Sequence, residues 1–141
     1  MRTTKTGTHR ERGASLVEFA IVLPIFLVLT GGMVDFGRAF FTEVMLTNAA
    51  REGARSAMYS STSANTSTRA IAAAGGNSAL GVSITNPCPA SPGPLPSSVT
   101  VTVTNPKFEW VLLGPALSLI PGASNSLPTT LSGKATMQCG G

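Results

Sequence analysis

A chain of 141 residues has room for one small domain beside any membrane segment. It is 43% hydrophobic but only 11% charged, about half the usual charged share of a soluble domain, which points to a membrane or an assembly surface. The net charge of +4 does not indicate a nucleic-acid binder, because residues 1–13 carry Arg2, Lys5, Arg10 and Arg12 against Glu11, leaving +1 scattered over the rest with no basic face.

Residues 1–13 are polar and basic and read as a disordered cytoplasmic leader. Residues 14–34, ASLVEFAIVLPIFLVLTGGMV, contain one charge, Glu18. As a helix this run is about 31 Å long, close to the hydrocarbon thickness of a bilayer, and it predicts a transmembrane segment. Four Lys or Arg precede it and Arg38 alone follows closely, so the positive-inside rule places the N-terminus in the cytoplasm and the rest beyond the membrane. A cleaved secretory signal is the competing reading. Glu18 inside the apolar run, and no small-x-small site after Leu29, argue against it. Pro24 lies mid-span and removes the helical hydrogen bond to the Ala20 carbonyl, which membrane helices tolerate.

Residues 35–59 continue the helix outside the membrane. Phe36, Phe40, Val44 and Thr47, with Phe41 and Met45 beside them, form a stripe expected to pack on the C-terminal domain or on a neighbouring subunit. Glu52 and Arg55 can pair across one turn. The Ser/Thr/Asn stretch 60–67 is expected to end the helix, and residues 69–74 to form a short second one stopped by Gly75-Gly76. Strands are expected at 81–85, at 98–104 (SVTVTVT, strictly alternating) and at 131–139, with Ala135 and Met137 on one face. Five prolines exclude regular structure from 86–96. The apolar segment 108–120, FEWVLLGPALSLI, is broken by Pro115 and reads either as a cover for the sheet or as an exposed docking patch. The predicted fold is α+β: a long N-terminal helix, transmembrane in its first half, leading to a Ser/Thr-rich domain over 60–141 with about three antiparallel strands.

Cys88 and Cys139 can form one disulfide if the domain reaches an oxidising compartment and their Cα atoms approach within bonding range. With His9 as the sole histidine there is no ligand cluster for a metal, and no cofactor motif is present. No nucleophile–base spacing is recognisable either, so the chain does not read as an enzyme, although a Ser or Thr acting with Lys107 or Lys134 stays open.

The most informative stretch is RERGASLVEFAIVLP, residues 10–24. A basic leader ends at Gly13, and Glu18 follows five residues later inside an apolar helix. An ionised carboxylate in hydrocarbon costs several kcal/mol unless it is paired, neutralised or drawn to the interface. A cut after Gly13 would give Ala14 a charged α-amino group one helical turn from Glu18, within the same chain or on an adjacent subunit. Without such a cut, Glu18 reads as an acid snorkelling to the headgroups.

GASLVEFAIVLP followed by GRAF and NAAREGARSA resembles the TadE-like family, minor pseudopilins of tight-adherence (Flp) pilus systems. The resemblance covers about residues 10–59 and is only an outline beyond residue 60. It implies cleavage by a membrane prepilin peptidase between Gly13 and Ala14, with Glu18 as the acid of the site. It also implies a second motif at Ala49, Ala50, Arg51, Glu52, Gly53, Ala54 and Arg55, whose small residues would permit close helix approach or, as the plainer alternative, packing within one subunit. The implied partners are that peptidase, other pilins and pseudopilins, the inner-membrane assembly platform and membrane lipid. The implied place is the bacterial inner membrane, with one pass and the C-terminal domain outside the cytoplasm. The competing function is a signal-anchored envelope binding module with no pilus role.

Overall fold

A single helix, α1 (Thr8–Tyr59), runs through 52 residues and is about 78 Å long at the standard helical rise. The computed structural model describes residues 8–59, 63–89, 98–122 and 127–139, with side chains from Gly13 onward. Residues 8–13, expected to be disordered, are helical instead. Arg and Glu are good helix formers, and the lone Gly13 costs only about 1 kcal/mol. Residues 1–7 of the leader lie outside the described residues. The helix continues through Pro24. From 13 to 30 every residue is exposed, and only 11% of the most apolar stretch is covered by the rest of the chain. A core helix would be mostly covered, so this half is an apolar rod that fits a membrane anchor.

The second half of α1 carries a small α+β domain. Strands β1 (Gly81–Thr85), β2 (Ser98–Asn105) and β3 (Leu131–Gln138) form one antiparallel sheet in the order β1-β2-β3. The alternation of β2 turns Val99, Val101 and Val103 inward with no exposed surface, while Thr100, Thr102 and Thr104 lie on the opposite face. On that outer face the Thr100 and Thr136 hydroxyls hydrogen-bond across the register pair at 2.9 Å. In β3, Leu131 and Gly133 are buried and Ala135 and Met137 half-buried, on the side facing α1.

The face of α1 that lies under the sheet is not the aromatic stripe, although Phe36 touches Trp110 of the domain edge-on. Phe36, Phe40, Phe41 and Val44 remain exposed, whereas Ala39, Leu46, Ala49, Ala50, Ala54 and Ala57 are buried. The sheet lies too close to the helix for large side chains. A Cβ on Gly133 would stand 2.6 Å from the Leu46 carbonyl oxygen, and closer still to the Leu46 carbonyl carbon and the Thr47 nitrogen. Small residues win this contact because they let backbones approach, and hydropathy alone does not single them out.

Helix α2 (Ser63–Ala73) starts earlier than the expected 69–74. The hydroxyls of Ser67 and Thr68 bond the carbonyls four residues back, at 3.0 and 2.9 Å, and Thr66 and Ala70 are buried. Packing overrides the weak propensity of Ser, Thr and Asn for helix. Residues 60–62 lie outside the described residues. The stop falls at Gly75-Gly76: the Gly76 N–H bonds the Ile71 carbonyl at 2.8 Å, the Gly75 N–H bonds that of Ala72 at 3.1 Å, and both glycines have positive φ. This is a Schellman cap, which requires the left-handed conformation glycine adopts freely.

No helix or strand occurs over 86–89, and 90–97 lies outside the described residues. Helix α3 (Leu113–Ser118) accommodates Pro115 in its first turn, where no intrahelical donor is needed. The 108–120 segment divides its contacts. Phe108 is buried with the sheet core, but Leu112 and Leu113 lean on α1 at Gly31 and Gly32 rather than covering the sheet.

Antiparallel pairing brings the ends of β1 and β3 to the start of β2, since Thr85 pairs with Thr100 and Gln138 with Ser98. Cys88 and Cys139, just beyond those ends, form a disulfide with Cα atoms 5.6 Å apart. The bridge spans 51 residues of sequence and limits the unfolded chain. Replacing both cysteines by serine is expected to destabilise the domain by about 3 kcal/mol, read as a lower denaturant midpoint. An unchanged midpoint would show the bridge to be dispensable.

Candidate functional site

Three groups of residues on α1 are set apart by chemistry. Gly13, Ala14 and Glu18 lie on the bare apolar part of the helix, all exposed, and a Cβ on Gly13 would meet nothing within 4 Å. Ala14 and Glu18 are one turn apart, about 6 Å along the axis, on the same face. The 13–14 peptide is itself helical.

The second group is 49–55, about 46 Å further along the axis from Glu18. Its small members all face inward: Ala49, Ala50, Gly53 and Ala54 are buried. A Cβ on Gly53 would stand 3.1 Å from the Ala70 Cβ and 3.1 Å from a Val101 methyl, so this glycine lies where α1, α2 and β2 converge. Arg51 and Arg55 are exposed. Glu52 pairs with Arg69 of α2 at 3.4 Å, not with Arg55 as the one-turn spacing suggested. This pair is well exposed and contributes little to stability.

The third group was not evident from sequence. Asp35, directly after the apolar run, has no exposed surface. Its Oδ1 accepts the Val111 N–H at 3.2 Å, and its Oδ2 accepts those of Leu112 and Leu113 at 2.8 and 2.7 Å. Arg38, one turn on, brings a guanidinium nitrogen to 3.5 Å from Oδ1. Burial pushes the carboxyl pKa up, but the three backbone donors and Arg38 together outweigh it and hold the group below its ordinary 3.8. Around this clamp Phe36 meets Trp110 edge-on at 5.6 Å, Trp110 meets Phe108 at 5.1 Å, and Arg38 lies 5.7 Å from the Phe108 ring centre. The Trp110 indole N–H donates to the Pro128 carbonyl at 2.9 Å. The signal in the sequence was an acid closing the apolar run with an arginine three residues later. Its partners are backbone groups more than seventy residues away, which no side-chain motif marks.

Among the described residues no group of three or more His, Cys, Asp or Glu could hold a metal ion. The distinctive chemistry lies along one helix: an acid near a glycine at its start, a carboxylate clamp in the middle and small residues under the domain. No curated protein and no solved structure matches the chain. Residues 13–55, running from that glycine through the clamp to the last arginine of the small-residue motif, match the TadE-like protein family, which is associated with the tight-adherence pilus.

Proposed function

We propose that this protein is a minor pseudopilin that takes part in assembling a tight-adherence pilus after a prepilin peptidase cuts between Gly13 and Ala14. The observation that carries the reading is the family match over residues 13–55, which includes both Gly13 and Glu18 on an exposed apolar helix. Cleavage leaves Ala14 with a positive amine one turn from Glu18. An amine–carboxylate pair in a low dielectric favours helix registers that keep it and penalises those that separate it. The apolar rod is the part that can sit first in the inner membrane and then among other pilin helices, while the head domain stays outside the cytoplasm. The partners are the peptidase, other pilins and pseudopilins, and the inner-membrane assembly platform; none of their catalysis resides in this chain.

The test is the intact mass of the protein from a strain with an active tight-adherence system. The expected result is loss of the first 13 residues, and retention of the whole leader when the peptidase is deleted. A mature chain that still begins at Met1 in the active strain would overturn the reading. Glu18→Ala separates it from a signal-anchored binding module: the pseudopilin loses assembly, and the anchored module keeps localisation and function.

A further inference from the structure

We infer that residues 111–120 form a second membrane element, an apolar loop and short helix embedded in the outer leaflet beside the spanning helix. The inference rests on the reading that residues 14–34 cross the bilayer. Leu112 packs on Gly31, where an added Cβ would stand 3.0 Å from the Leu112 Cβ, and Leu113 packs on Gly32. Further down, Leu113 and Ala116 share a small cavity with Leu27, Val28 and Gly31. Leu27 precedes Asp35 by eight residues, about 12 Å of helix axis. Whatever lies alongside Leu27 and Val28 is therefore at membrane depth, comparable to the 5–10 Å at which interfacial helices sit.

The chemistry of the segment matches that place. From Trp110 to Gly122 there is no charged residue. Val111, Leu112, Leu119 and Ile120 are exposed, Leu119 by 84%, in continuity with the exposed Leu27 and Val28 of the span. Lipid does not satisfy polar backbone, so a loop can enter it only with its own groups paired. Here Asp35 takes the N–H groups of 111–113, Ala116 and Ile120 donate to the carbonyls of Leu112 and Leu117, and the Ser118 hydroxyl donates to the Pro115 carbonyl. In sequence, the charged residues that border the docked segments follow the apolar run of α1, as Asp35 and Arg38 do, or precede Trp110, as Glu109 does. Trp110 and Phe36 stand at the level where aromatic residues border a bilayer.

Trp110 is the chain's single tryptophan, which permits a depth measurement. Leu119→Trp and Ile120→Trp, each in a Trp110→Phe background, are compared with Val28→Trp in the same background. The full-length chains are reconstituted at low density in phosphatidylcholine vesicles with brominated acyl chains. The expected result is a blue-shifted emission for all three and loss of most of it to the bromines. Quenching at Val28 with red-shifted, unquenched emission at both 119 and 120 overturns the inference while the span stands. No quenching at any of the three overturns the span reading and the inference with it. Blue-shifted but unquenched emission at 119 and 120, at this density or as the density is raised, assigns the patch to protein contact such as a second copy of the chain, and also overturns it.

Discussion

Gly133→Ala should disrupt the α+β domain more than a methyl added at any other described glycine. The new Cβ would meet the α1 backbone at Leu46 and Thr47, not a side chain that can rotate away. Ordinary overpacking costs about 1–3 kcal/mol because rotamers and backbone share the strain. Here the obstacle is the continuous helix that also carries Leu46, Ala49 and Ala50 of the core. Relief therefore requires β3 to lift away from α1, and the expected cost is at least about 4 kcal/mol. In a domain of this size that lowers the melting temperature by at least about 16 °C, measured by circular dichroism of the full chain in detergent. Gly81→Ala is the control, since its Cβ would have 3.9 Å to the nearest atoms on Thr104. Similar melting of the two variants would show that β3 is not seated on the helix backbone.

The same contact explains which parts of the fold were legible in the sequence. The long helix of α1 and the alternating SVTVTVT strand declare themselves because one carries an unbroken apolar run over 14–34 and the other repeats a two-residue period. β1 and β3 were found within a residue or so for the same reason, with Gly and Pro marking their limits. The face of α1 that lies under the sheet was not legible because hydropathy weights size. It favoured Phe36, Phe40 and Phe41, whereas the sheet selected Ala39, Ala49, Ala50, Gly53 and Ala54, which bury little surface each and gain by proximity. The start of α2 was misplaced for a related reason, since burial of Thr66 and Ala70 decides it. The apolar 108–120 segment was visible as apolar, but its destination on α1 depends on Asp35 and on the Gly31-Gly32 gap. Neither is a repeated signal.

Removing the Asp35 carboxylate is the second change with a large expected effect. It binds three backbone N–H groups at once, and each buried donor left without a partner costs about 1–3 kcal/mol. Asp35→Ala should therefore destabilise the docked state of 111–120 by about 4 kcal/mol, with part of the loss recovered by water. Asp35→Asn should lose less, because its amide oxygen still accepts one or two of these bonds without the charge. The readout is amide hydrogen exchange at Val111, Leu112 and Leu113: protection falls steeply in the alanine variant while the sheet amides keep theirs. Acid should reproduce the effect in the unaltered protein. The folded-state pKa lies below the ordinary 3.8, so the stabilisation is complete above 3.8 and disappears as pH falls through the lower folded value. Full protection of these amides in Asp35→Ala would mean that the apolar contacts with Gly31 and Gly32 hold the segment by themselves, leaving the carboxylate no part in keeping it on α1.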